Sequence, residues 1–504
     1  MTTSNLSQQP SLEAPDGPAL IRWLATDAAV RDRVVTDGRH TVSYAEAAVL
    51  LDRLDERFAL QASSPRRPVA LECSQSVAGA LALLYVLSRE QDVVLLPELG
   101  DASKESGTPR FIPSFCSHVI TARASRKPDA GLLDSFEIAA NPELAEEPAV
   151  AGFHGPDLYL RTSGSTGTPK LTRMSHQRWL NNALACVERW RLTGEDRLTI
   201  PVPIFHSYGF GAAFLPGLLA GTAMDVGSGG NILRYLEREE RFQPNVAFLT
   251  PALCDTFLSV RKSPRPYRLA VTAGDKIKRE TMAGFEPRFG PLLNLYGSAE
   301  MGAVSAASPE DPPGSRLATA GYALAGIELR VQEVGSDFEA AVGEEIGLLQ
   351  CRQKNGSVGY LIQEAGWRFQ PRADDEWFET GDLARIRDDG YVEVLGRSGL
   401  SVKRDGLLVV FADVEAAVEK AEGVQRAVIV AAGESRRGSR LVAVCLAGPQ
   451  GEAPRPEAVR QRCFELLPLY AVPDEVVIVD SLPELPSGKV DRRALRDLIA
   501  NRSL

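Results

Sequence analysis

The chain has 504 residues, 44% hydrophobic and 24% charged, with a net charge of −10. That length predicts roughly three domain-sized units and a core large enough to need no metal or disulfide staple. The acidic balance excludes non-specific nucleic-acid binding, which depends on Lys and Arg neutralising phosphates. The longest apolar stretch, 77–87, is too short to cross a bilayer, so no membrane insertion is expected. Seven cysteines are scattered with no CxxC pair, and five histidines show no ligand spacing with a Cys. Both features predict buried thiols in a reducing, cytoplasmic setting rather than a metal site. The N-terminus has no basic and apolar stretch of the kind that directs secretion.

In chain order, residues 1–20 are rich in Ser, Gln, Pro and Gly and are expected to be disordered. Residues 40–60 read as a short strand and an amphipathic helix, with Ser43 and Glu46 spaced as a capping box. Strand 69–71, helix 77–87 and strand 92–97 follow, and short apolar runs at 197–200, 246–249 and 269–272 alternate with polar helical stretches. Such alternation predicts an α/β fold with largely parallel pairing. After about residue 315, Gly-punctuated runs predict a β-rich section forming a small barrel. From about 400, a helix at 412–421, strands at 427–432 and 440–447, a helix at 454–467 and a strand at 475–479 make a compact βαββαβ-type α+β unit.

The stretch TSGSTGTPK, Thr162 to Lys170, packs two glycines, five hydroxyl side chains and a lysine into nine residues directly after the apolar run 158–160. It fails as a Walker A loop, which requires GxxxxGK[ST]. Glycine admits close approach to the backbone, and free N–H groups with hydroxyls suit a phosphate. The string resembles the phosphate-binding signature of the adenylate-forming superfamily, which includes acyl- and aryl-CoA synthetases, luciferases and the adenylation domains of peptide synthetases. The resemblance continues in order from about residue 40 to about 495.

The resemblance implies a set of roles. Thr162, Ser163, Gly164, Ser165, Thr166, Gly167 and Thr168 would surround the phosphates of ATP, with Lys170 adding positive charge to the leaving pyrophosphate. In NLYGSAE, Asn294, Tyr296, Gly297 and Ser298 would line the nucleotide and Glu300 would hold Mg²⁺, joined by Thr166. Ala273, Gly274 and Asp275 of TAGDKI would flank the adenine. Asp382 of the TGD motif would accept both ribose hydroxyls, with Arg397 as a second contact. Lys489, in PSGKVDRRAL, would be the mobile catalytic lysine that bridges the acid and the α-phosphate. His206 of FHSYGFG would sit at the mouth of the acid pocket, lined further by Tyr208, Gly209, Thr272, Gly297 and Met301. No carboxylate stands where amino-acid-activating members bind an α-ammonium, and small residues (Gly209, Gly211, Ala212, Ala213) point to a bulky or long acyl group.

The implied enzyme is an ATP-dependent acid–thiol ligase acting on a small-molecule carboxylic acid. It forms an acyl-adenylate and transfers the acyl group to coenzyme A or to a phosphopantetheinyl carrier protein. Its expected organisation is a large N-terminal AMP-binding domain (21–395) of two doubly wound βα subdomains plus the barrel, a hinge at 396–400 and a small mobile C-terminal domain (401–504). Three positions depart from the family pattern: Ala299 replaces a threonine, Gly399 replaces the hinge aspartate or lysine, and Phe411 replaces a proline. Two alternatives stay open: an impaired relative that binds nucleotide without turnover, and a stand-alone adenylation enzyme for an amino or aminobenzoic acid.

Overall fold

The structure is a computed structural model describing residues 13–58, 67–98, 111–123, 131–145, 155–162, 170–261, 265–333, 346–364, 366–405, 407–436, 438–448, 453–484 and 490–501. Its contacts divide the chain into two compact units. The first holds the described residues up to Glu328 together with Cys351–Trp377; the second holds those of Leu329–Gln350 and Phe378–Leu504.

The first unit is built on two large mixed sheets. In one, four parallel strands run in the order Asp157–Arg161, Val93–Pro97, Val69–Cys73, His118–Ala122. Val69–Cys73 is buried at every residue, as expected of a central parallel strand covered on both faces. Helix Val77–Ser88 is likewise buried along its whole length, and Ser76 caps it by accepting from the Gly79 N–H. At the other side of the sheet, Asp157–Arg161 pairs antiparallel with Lys170–Ser175, which pairs antiparallel with Gly359–Gln363. This arrangement lays a strand from residue 359 onward beside the start of the one at 170.

The second sheet has nine strands, six of them parallel: Leu292–Ser298, Leu269–Thr272, Val246–Leu249, Arg197–Thr199, Ala223–Asp225 and Val34–Thr36. Leu292–Ser298 then turns back antiparallel into Gly302–Ala306, and the turn between them carries Glu300. The Ser43–Glu46 capping box forms as expected, the Ser43 N–H donating to Glu46 Oε2 at 2.8 Å and the Glu46 N–H to Ser43 Oγ at 3.2 Å.

The second unit contains a four-stranded sheet, Glu328–Glu333, Gly347–Arg352, Phe378–Ile386, Val392–Arg397 in that order. The section expected as a barrel is thus an open sheet among the described residues, because no pairing joins its first strand to its last. A five-stranded sheet follows, with Gly438–Ala447 between Val424–Ser435 and the parallel strand Glu475–Val479. Helices Phe411–Val418, Pro456–Leu466 and Arg492–Asn501 accompany it.

Two expectations about boundaries differ from the structure. Residues 17–20, expected to be disordered, form the first turn of helix Gly17–Thr26, because Asp16 caps it, Pro18 starts it and Leu20 and Leu24 are buried. The 396–400 segment lies inside the second unit: Gly396 and Arg397 end a paired strand, and Ser398–Leu400 makes one 3-10 turn. Strand pairing carries that unit back to Phe378.

Candidate functional site

Thr162 and Lys170 mark the two ends of the glycine-rich stretch, the Thr162 N–H donating to the Lys170 carbonyl at 3.0 Å. Ser163, Gly164, Ser165, Thr166, Gly167 and Thr168 lie outside the described residues, as does Lys489. Lys170 opens its strand on the same face as Thr172, and Thr172 is the cross-strand partner of Tyr360. Lys170 and Tyr360 are therefore diagonal neighbours, and Lys170 Nζ lies 6.0 Å from the centre of the Tyr360 ring. The Tyr360 hydroxyl donates to Glu300 Oε1 at 3.2 Å. A lysine, a tyrosine and a glutamate from three separate strands or turns thus form one cluster, with Lys170 at the end of the glycine-rich stretch. Burial, and then the Glu300 carboxylate, push the Tyr360 phenol up, which keeps it a donor at any physiological pH.

Main-chain contacts fix the Glu300 turn from two sides. Its carbonyl accepts from the Ser357 N–H at 2.7 Å. The buried Asn182, from helix His176–Trp190, brackets Ala303 with two bonds of 2.8 Å, accepting from its N–H and donating to its carbonyl. Gly302 has φ +65°, and a Cβ there would come within 2.5 Å of Asn182 Oδ1. Gly297, exposed in the hairpin, is similarly forced, since a Cβ would lie 2.3 Å from the Gly302 carbonyl oxygen. Ser298 Oγ accepts from the Met301 N–H at 3.2 Å. Asn294 and Tyr296 are half-buried on the same strand.

After strand Leu269–Thr272, Ala273 is buried, while Gly274 and Asp275 are exposed. Gly274 has φ +93° and open space where a side chain would project. His206 is exposed and its ring stands 4.9 Å from that of Phe205. Its carbonyl accepts from the Phe210 N–H at 2.8 Å, entering the π-helical segment Tyr208–Phe214. Gln75 pins the preceding loop, donating to the Ile200 carbonyl and accepting from the Ile204 N–H, both at 2.8 Å.

Several expected pocket residues turn inward instead. Thr272 and Met301 are fully buried. The half-buried Tyr208 donates to the Leu249 and Val271 carbonyls at 3.1 and 2.9 Å, at the ends of two parallel strands. A Cβ on Gly209 would lie 2.0 Å from the Pro203 carbonyl oxygen, and one on Gly211 would lie 2.4 Å from the Trp179 ring. Ala212 and Ala213 are buried too. These small residues make room for neighbouring protein, so they carry no information about the length of an acyl group.

In the second unit, Asp382 and Arg397 are cross-strand partners. Arg397 Nε pairs with Asp382 Oδ1 at 3.1 Å, and its guanidinium also donates to the Thr380 carbonyl at 2.8 Å. The Asp382 side chain is 9% exposed and that of Arg397 59%, so the carboxylate is held and the arginine is reachable. Gly381, at φ +73°, makes the bend that places Asp382. The two residues expected at a ribose therefore share one hairpin.

Sequence reasoning missed Tyr360, Asn182 and Gln75. Each acts through a partner 60 or more positions away in sequence, so no local pattern could reveal it.

A family model for AMP-binding enzymes matches residues 118–361, and one for the C-terminal domain of AMP-binding enzymes matches residues 413–489. A medium-chain fatty-acid–CoA ligase of Escherichia coli (strain K12) is 28% identical over 363 residues, which is 69% of this chain and 62% of that protein. A salicylyl-CoA synthase / salicylate adenylyltransferase of a Streptomyces species is 26% identical over 413 residues, 75% of this chain and 73% of that one. The crystal structure of ATP-bound MatB from Rhodopseudomonas palustris superposes with a TM-score of 0.76 at 21% identity, covering 97% of this chain and 100% of that chain. At that identity the structural likeness establishes the fold.

Proposed function

The chain belongs to the AMP-binding enzyme family, and from that premise we propose that it activates a carboxylic acid with ATP and passes the acyl group to a thiol. The observation that carries this reading is the Lys170–Tyr360–Glu300 cluster, a cation and a carboxylate ordered together at the end of the TSGSTGTPK loop. The acid's carboxylate oxygen attacks the α-phosphorus of ATP, the bond to pyrophosphate breaks, and an acyl-adenylate forms. The thiol then attacks the acyl carbon and AMP leaves.

Within this reading, Lys170 and the loop from Thr162 to Thr168 hold the β- and γ-phosphates, and Lys489 stabilises charge at the reacting carboxylate and α-phosphate. Tyr296, Asn294, Ala273, Gly274 and Asp275 flank the base; Asp382 and Arg397 take the ribose. Among the described residues no group of three or more His, Cys, Asp or Glu could hold a metal by itself. A single carboxylate, Glu300, fits Mg²⁺, which binds through one or two carboxylates plus substrate phosphates. When bound, Mg²⁺ supplies charge neutralisation at the phosphates. No Asp or Glu occurs anywhere from residue 197 to 224 around His206, which supports an acid without an α-amino group. The acid is aryl or fatty acyl, and the thiol belongs to coenzyme A or to a phosphopantetheinyl carrier protein. We place the enzyme in the cytoplasm, where its seven buried, unpaired cysteines stay reduced.

The test is pyrophosphate release with Mg·ATP against fatty acids, benzoates, cinnamates and amino acids, each with and without coenzyme A, using Lys489→Ala as the control. Release should depend on one class of acid, rise with coenzyme A if that is the acceptor, and fall by orders of magnitude in the control. Nucleotide binding with no release for any acid would sink the reading and leave a binding-only relative. Release driven by amino or aminobenzoic acids alone would overturn the assignment of the acid.

A further inference from the structure

We infer that Tyr360 is a positioning residue for both charged groups at the phosphates: its hydroxyl orients the metal-facing carboxylate of Glu300 and its ring seats the ammonium of Lys170. The inference deepens the adenylating reading above and rests on it.

Three observations converge. The hydroxyl donates to Glu300 Oε1, and among the described residues it is the only donor to that carboxylate. Among the described residues no donor engages Oε2, the oxygen assigned here to the cation. The ring face lies under Lys170 at a separation where cation–π attraction operates. Tyr360 is itself held from both sides, since its strand pairs with Lys170–Ser175 on one edge and with Trp367–Pro371 on the other. A mobile residue could not orient its neighbours; one in the interior of a sheet can. The Glu300 main chain is tied to the same segment through the Ser357 N–H, three residues before Tyr360. Carboxylate and lysine are thus referenced to one strand, and their mutual geometry is set before substrate arrives. A fixed outer partner of this kind orients a metal's ligand and tunes the metal's affinity.

The experiment measures ATP binding by titration calorimetry, with no acid present, across a magnesium series and in metal-free buffer. It compares the wild type with Tyr360→Phe and Tyr360→Leu. Tyr360→Phe keeps the ring and removes the donor. It should raise the magnesium concentration for half-maximal enhancement of ATP binding by about tenfold, leaving metal-free affinity unchanged. Tyr360→Leu should show the same metal defect and also bind ATP about two- to fivefold more weakly without metal, because the seat for Lys170 is gone. A magnesium titration of Tyr360→Phe that overlays the wild type overturns the inference. So does a loss in Tyr360→Phe that is equal with and without metal, since that marks a merely structural role. Wild-type protein that binds Mg·ATP but activates no acid would sink the adenylating reading while the titration still decides the role of Tyr360. Wild-type protein with no magnesium-dependent ATP binding would overturn both.

Discussion

Ala299 stands where the resemblance expects a threonine hydroxyl, and the neighbouring Ser298 is the residue proposed to take over its contact. A serine hydroxyl has one proton to donate and two lone pairs. Ser298 Oγ accepts from the Met301 N–H, an arrangement compatible with donating its own proton to a phosphate oxygen in the proposed reaction. Removing one such donor from a transition state costs about a hundredfold or more in kcat. Ser298→Ala should therefore lower the rate of acid-dependent pyrophosphate exchange by about that factor, with only about 1 kcal/mol lost from stability for the Met301 bond. Restoring the family residue with Ala299→Thr should make the Ser298→Ala loss several-fold smaller. Wild-type exchange in Ser298→Ala would remove Ser298 from the mechanism. The contrast with Tyr360 shows what a sequence exposes at this scale. Glu300, Asp382 and Arg397 sit in short strings whose spacing is the signal. Tyr360 reaches Glu300 across 60 positions, and that meeting exists only once the strands flanking Glu300 and the strand carrying Tyr360 have paired.

At the scale of elements, the helix His176–Trp190 holds the strand after the Glu300 turn through Asn182, yet its first residue is a liability. The His176 ring is buried, and among the described residues neither nitrogen has a hydrogen-bond partner. Burial pushes its pKa down from 6.5 to about 4. The unfolded chain therefore takes up a proton near pH 6.5 that the folded chain refuses until about pH 4. Stability is complete above the upper value and falls as pH drops, by about 1.4 kcal/mol for each unit within the window. His176→Phe should flatten this part of the profile, so that the melting temperature of the variant gains on the wild type steadily from pH 7 to pH 4. Parallel curves would show that the imidazole is already protonated, or solvated, in the native state. Elements as such were the more legible level. Val246–Leu249, Leu269–Thr272 and Glu475–Val479 form at the bounds their apolar runs predict, because a short run packed against its neighbours admits little else. The hairpin Ser401–Arg404 with Leu407–Val410 was not read. It holds Lys403, Arg404 and Asp405 in five residues, a charged run with no apolar alternation. Yet Arg404 is fully buried, donating to the Val472 carbonyl at 2.8 Å and to Asp474 at 2.7 Å. The burial of that charge rests on a partner 70 positions away, which no local pattern announces.

For the molecule as a whole, the contact boundary falls at residue 378, but the apolar core of the second unit draws a different line. One buried cluster joins Val409, Phe411, Val418, Ile429, Leu441 and Cys463, and the other joins Val428, Val444, Leu495 and Ile499. Every member of both, including the partly buried residues packed against them, falls between Leu400 and Ile499. The two clusters take opposite faces of the five-stranded sheet: Ile429 belongs to one and its neighbours Val428 and Val430 to the other. The ion pair of Arg492 with Glu415, at 2.8 Å, ties the last helix to the first within the same stretch. Burial of apolar area is the dominant favourable term in folding, and about a hundred residues is an ordinary size for an independent domain. A fragment of residues 398–504 should therefore fold alone, giving a dispersed amide spectrum and one cooperative thermal transition. It should bind no ATP, because Lys170, Tyr360 and Glu300 lie outside it. A collapsed spectrum, or a transition that appears only when the fragment is extended back to 329–350 and 378–397, would show that the four-stranded sheet is part of one folding unit with the rest. In that case the segment after Arg397 would have no structural independence for a domain movement to use.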